Sequence, residues 1–207
     1  MKKGLVFLIS ILLLVILVFT TALTQGNQPE IPPRPIKGNY IFDSLGWLNS
    51  NQKTEINNII TKLDVERIAE IMVVTLNYTG DDKQTFQNKL FNEWGIGHAD
   101  RDDGLLIMVC WHDEDKTRRS IEQKFRYGTE DKIMNRSILN NIAKQYFEPV
   151  FSSIDDEVVR TGEAGDALVA MVKAYDSIFR RLQLGSTAIL VSVIVATMFI
   201  FFLMCFL

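Results

Sequence analysis

The chain has 207 residues, 47% of them hydrophobic, and a formal net charge of -3. So mild a charge offers no basic footprint for nucleic acid and no acidic tail, and nucleic acid is excluded as an expected partner. The two cysteines, Cys110 and Cys205, both sit in apolar runs, which excludes a disulfide scaffold and a reactive thiol.

Residues 1–23 read as an export segment. Lys2 and Lys3 precede an apolar run from Leu5 to Phe19, the charged and apolar regions of a secretory signal. Thr20-Thr21-Ala22 offers a small-residue cleavage site, and without cleavage the segment is a signal anchor. Residues 24–38 form a linker in which Pro29, Pro32, Pro33 and Pro35 favour extended chain.

A domain is expected over 39–181. Tyr40-Ile41-Phe42-Asp43 is a short extended piece, and Asn49 or Ser50 then caps a helix. Ile56, Ile59, Ile60 and Leu63 give that helix one apolar face. Ile71–Leu76 and Leu105–Trp111 are apolar on both sides, as strands covered by helices on both faces are. Between them Thr85–Trp94 predicts a helix with Phe86, Leu90, Phe91 and Trp94 inward, so the two strands should run parallel. Ser120–Tyr127 alternates between apolar and charged residues, which suits an edge strand antiparallel to its predecessor. Helices are expected at about Asp131–Phe147 and Asp156–Arg181. The class is α/β, with a small mixed sheet between helical layers in a three-layer α/β/α sandwich.

From Thr187 to Leu207 the chain is uncharged and apolar, roughly the 20 residues that a membrane-spanning helix requires. Arg180-Arg181 mark its water-facing boundary. Lys2 and Lys3 hold the N-terminus in the cytoplasm. The expected location is therefore the cell membrane, single-pass or doubly anchored, with the domain on the extracytoplasmic side.

Strand direction locates the candidate chemistry. If Ser120–Tyr127 is antiparallel to Leu105–Trp111, the end of one lies beside the start of the other. Asp102, Asp103, Glu130 and Asp131 then converge on one rim. Such a cluster repels itself unless a cation or an arginine neutralises it, and its oxygens suit calcium or magnesium. On the plainer reading, Asp131 caps the next helix and the others are solvated loop acids. Gly95-x-Gly97 closes a helix rather than cradling phosphate. His98 and His112 have no Cys or His partner at zinc spacing.

Three stretches carry a resemblance. Tyr40-x-x-Asp43 leads through Leu45-Gly46-Trp47-Leu48-Asn49 to the first helix. Asn92-Glu93-Trp94-Gly95-Ile96-Gly97 precedes Asp102-Asp103-Gly104-Leu105-Leu106-Ile107, and Tyr127-Gly128-x-Glu130 closes the edge strand. Together they resemble the TPM domain family, named for thylakoid-lumen, photosystem-repair and acetylcholine-receptor-modulating proteins. The resemblance implies an exported α/β/α domain, often followed by a C-terminal span, with divalent-cation binding and an acid-phosphatase activity proposed for plastid members. Carried over, Asp102 and Glu130 occupy acidic positions of the pattern, and Asp43 is expected at the opposite rim. Arg126 stands where many members have glycine, and the glycine-rich tail of many bacterial relatives is missing. The function expected is a binding or accessory module for membrane-embedded protein partners. The alternative is a metal-dependent acid phosphatase, for which no nucleophile is legible.

Overall fold

A computed structural model of the chain describes residues 29–78, 80, 82–101, 103–111, 120–125, 136–151 and 162–183. The apolar runs at the two termini lie outside them. Among the described residues no helix is long and apolar enough to cross a membrane.

The domain is a mixed α/β fold on a four-stranded sheet in the order β1-β2-β3-β4. Strand β1 (Ile41–Asp43) and strand β2 (Glu70–Asn77) pair in parallel, as do β2 and β3 (Gly104–Trp111). Strand β4 (Ser120–Phe125) runs antiparallel to β3, with Leu105 opposite Phe125 and Cys110 opposite Ser120. The two central strands are buried on both faces: Ile71, Val73, Val74 and Leu105 to Met108 are fully buried. That environment explains their near-continuous apolar sequence, interrupted in β2 by the buried Thr75.

Helix α1 (Ser50–Val65) joins β1 to β2 and starts with a capping box, in which Asn49 and Gln52 each accept from the other's backbone N–H. Its expected apolar face is realised, with Ile56, Ile60 and Leu63 buried. The helix ends in a Schellman closure, Arg67 N–H to Asp64 and Ile68 N–H to Leu63. The left-handed position falls on Arg67, at φ 54°, where glycine would be unstrained.

Helix α2 (Lys83–Glu93) joins β2 to β3 and closes in the same way. Gly95, at φ 57°, donates to Asn92, and Ile96 donates to Phe91. Its rings meet the face of the sheet that carries Phe42 and Tyr78: Phe42 packs edge-on to Trp94 and Tyr78 edge-on to Phe86.

The opposite face carries Gln123, which donates to the Leu139 carbonyl of helix α3 (Arg136–Ile142) and accepts from the Tyr175 hydroxyl. Burial holds that phenol well above its ordinary pKa, so it remains a donor. Tyr175 belongs to helix α5, over residues 163–183. Helix α5 also lies along α1: Gln52 reaches Asp166 at 2.7 Å and the Gly162 carbonyl at 3.2 Å, and Lys173 pairs with Glu55.

The helix expected to end at Phe147 does not end there. It passes through a π-helical turn, Ala143–Phe147, into helix α4 (Glu148–Phe151), with Glu148 N–H bonded to Ala143. Pro149 gives the reason. Its ring would strike the carbonyl four residues back in a regular α-helix, and the wider turn makes room.

Candidate functional site

The two rims of the parallel strands carry different chemistry. At the C-terminal end of β1, Asp43 faces Thr75 across the sheet. Its carboxylate, 2% exposed, accepts from Thr75 Oγ1, Trp47 N–H, Leu48 N–H and Lys53 Nζ. Burial opposes the charge, but the Thr75 and Lys53 donors, then the two amides, outweigh it and hold the carboxyl below its usual range. Asp43 therefore folds the 44–48 connection and is saturated, on the rim where it was expected.

The depressed pKa gives a sign. Asp43 contributes stability above the ordinary carboxylate range and loses it as pH falls through its folded value. Asp43→Asn should lower the unfolding free energy from urea titration at pH 7 by about 1.5–3 kcal/mol, the range for hydrogen bonds to a charged group. The gap to wild type should narrow towards pH 3. A gap independent of pH would show that the charge is not what holds the connection.

The opposite rim gathers charged groups from three elements. His98, in the loop between α2 and β3, lies between two carboxylates. Its Nδ1 is 3.0 Å from Asp103 Oδ2, and its Nε2 is 3.1 Å from Asp64 Oδ1. Carboxylates only accept, so both contacts are hydrogen bonds when the ring carries both protons. Asp103 is 7% exposed and also takes the His98 amide at 2.8 Å and Arg101 Nε at 3.4 Å. Asp64 accepts from the Tyr40 hydroxyl at 2.6 Å. Burial first, and Asp64 second, raise the Tyr40 pKa well above the ordinary phenol. Beside them Glu70, at the start of β2, accepts from Gly97 N–H at 2.6 Å and from Arg34. On the outside Arg67 pairs with Asp100.

The register bears on the strand pairing behind the expected convergence. Glu70 lies opposite Gly104 and Leu105 opposite Phe125, so β4 ends at the rim where β3 begins. Of the four expected cation ligands, Asp103 is described, and its oxygens serve His98 and Arg101. Asp102, Glu130 and Asp131 lie outside the described residues, as do Arg126 and His112. Among the described residues no group of three or more His, Cys, Asp or Glu side chains is placed to hold a metal ion.

Sequence reasoning passed over Asp64 and Glu70. Both carry a signal in retrospect. An acid in the last turn of a helix opposes the helix dipole, and a carboxylate opening a buried strand needs a partner.

The family model of the TPM domain, labelled TPM phosphatase, matches residues 41–178, inside the expected 39–181. Two solved structures are similar. One is the N-terminal domain of a protein from P. gingivalis, at 22% identity and a TM-score of 0.54, covering 68% of this chain and 82% of that one. The other is the N-terminal domain of a Corynebacterium glutamicum protein, at 15% identity and a TM-score of 0.44, covering 74% and 88%. The first of these likenesses supports the fold. No curated protein matches the chain.

Proposed function

The chain belongs to the TPM domain family, and from that premise we propose that it is a membrane-anchored, extracytoplasmic binding or accessory module for membrane proteins. The anchoring rests on the sequence: the charged and apolar start, and the uncharged run from Thr187 to Leu207. The layering proposed is α/β/α, with α2 on one side of the sheet and the other helices opposite.

The module holds calcium or magnesium weakly where the loop before β3 meets the end of β4. The observation that carries this reading is the antiparallel register of Leu105 with Phe125. It supports the reading because β4 ends beside the start of β3, next in the chain to the two acid-bearing stretches. Asp103 shapes that rim by fixing His98, and Asp102, Glu130 and Asp131 are the acids left to face a cation. A bound divalent ion would relieve their mutual repulsion. Binding is favoured over catalysis because both nitrogens of His98 are engaged and Cys110 is buried.

Calcium should therefore raise the melting temperature of the full-length protein. At tenfold excess over Kd the gain is about 1.4 kcal/mol by mass action, or roughly 3–6 °C for a domain of this size. Asp102→Asn with Glu130→Gln should abolish the shift, and Arg126→Gly should enlarge it by removing a competing cation. An unchanged transition in millimolar calcium and magnesium would sink the cation site. Metal-dependent turnover of a phosphate ester by the same preparation would favour the alternative, a metal-dependent acid phosphatase.

A further inference from the structure

The segment before β1 lies along the domain as a strap with four points of contact. Pro29 sits against Gly80, so closely that a Cβ on the glycine would be 2.6 Å from the proline Cδ. Ile31 packs against the core. The Pro32 carbonyl accepts from Trp94 Nε1 at 2.9 Å. Arg34 places its guanidinium between the Trp94 carbonyl and the Glu70 carboxylate, with the Gly95 carbonyl at 3.5 Å. At about 3.1 Å per residue of polyproline-like chain, residues 29–34 reach about 16 Å. That matches the length of α2 at about 1.5 Å per residue. The strap thus follows the helix from its Tyr78–Phe86 end to its Trp94 end.

The pocket at the Trp94 end selects for chemistry. The Schellman closure of α2 satisfies the carbonyls of Phe91 and Asn92 from within, and Arg34 takes those of Trp94 and Gly95. These lie at the negative end of the helix dipole, which favours a cation. Glu70, 8% exposed, adds a carboxylate. An oxygen-lined pocket of acceptors needs an occupant made only of donors. The planar fork of a guanidinium spans a carbonyl and a carboxylate where an ammonium would serve as a point charge.

The cis occupant keeps one edge open to solvent. Arg34 is 40% exposed. The strap joins β1 through a turn closed by Asn39 N–H to the Ile36 carbonyl, where Gly38, at φ 88°, has nothing within 4 Å of a Cβ. Ile36 in that turn is 83% exposed.

We infer that the groove along α2 is a receptor for an extended, proline-flanked arginine segment, filled in cis by residues 29–34 and open in trans to a partner polypeptide of the same chemistry. The partner carries an apolar residue three positions before its arginine, as Ile31 precedes Arg34, and competes with a tethered copy at an effective concentration in the millimolar range. This site adjoins the proposed cation rim through Glu70 but does not require a bound cation.

The test uses the full chain with residues 29–34 replaced by glycine and serine, and a synthetic peptide with the sequence of residues 29–36. Titration calorimetry should show the peptide binding the emptied protein at least tenfold more tightly than wild type, whose own strap competes. Alanine in place of the peptide's arginine should weaken binding at least tenfold, lysine should recover part of it, and Glu70→Gln in the emptied protein should remove the preference for arginine. Equal binding of the arginine and alanine peptides, or none to an emptied protein with a cooperative melting transition, overturns the inference. If the emptied protein does not fold, the arginine peptide added in trans must restore the transition where the alanine peptide does not. Failure of that rescue overturns it equally.

Discussion

Gly97→Ala is expected to destabilise the domain by roughly 2–5 kcal/mol, combining left-handed strain with overpacking. Gly97 has φ 95°, and a Cβ there would lie 2.5 Å from Gly104 N and 2.7 Å from Gly104 Cα. Gly104→Ala fares no better, since a Cβ there would lie 2.3 Å from the Ile96 carbonyl oxygen. The atoms in the way are backbone, so no rotamer change clears them. The chain leaves α2, turns at Gly95 and crosses its own path where β3 begins, and two glycines let the crossing close. Gly95→Ala is the control. It is strained at φ 57° but has nothing within 4 Å, so it should cost only about 1–2 kcal/mol. Urea unfolding of the three proteins checks this. A Gly97→Ala loss no larger than that of Gly95→Ala would mean the loop opens without penalty. Because Gly97 N–H also bonds to Glu70, the variant should loosen the rim that carries His98.

The second large effect is expected at Trp94. Its ring is 4% exposed, packs edge-on to Phe42 at 6.1 Å between centroids, and donates its indole N–H to Pro32. Trp94→Ala should cost about 3–5 kcal/mol, as truncating a large aromatic in a core does. Trp94→Phe keeps most of the volume and removes the donor, and should cost about 0.5–1.5 kcal/mol for the lost hydrogen bond. Near-neutral behaviour of the alanine variant in chemical denaturation would show the site collapsing around the gap.

What the sequence made legible was what local pattern determines. Two doubly apolar runs became β2 and β3, Asn49 became a cap, and Gly95 ended α2. The antiparallel placing of Ser120–Phe125 followed from its alternation. What stayed hidden depends on partners distant in the chain. His98 was judged by whether Cys or His residues stood nearby, whereas it is held by Asp64 and Asp103. The left-handed Arg67 has no propensity signal, because tertiary closure imposes that conformation. A proline-rich linker reads as a spacer on composition, and only the carbonyls at the end of α2 reveal why residues 29–34 lie against the domain. Pro149 normally stops a helix, and a π-helical turn let it continue.

The docking of α5 on α1 has a consequence for the order of events in the cell. Gln52 reaches across to Asp166, and Gly165 comes so close that a Cβ there would lie 2.3 Å from Gln52 Oε1. One of the first helical surfaces synthesised is thus completed by one of the last. Chains emerge at about 5–20 residues per second, so Gln52 and Glu55 wait several seconds for Asp166 and Lys173. Until then the growing chain lacks its most distant cross-contacts. The contacts that tie the two ends of the domain together are therefore the last to become available during synthesis.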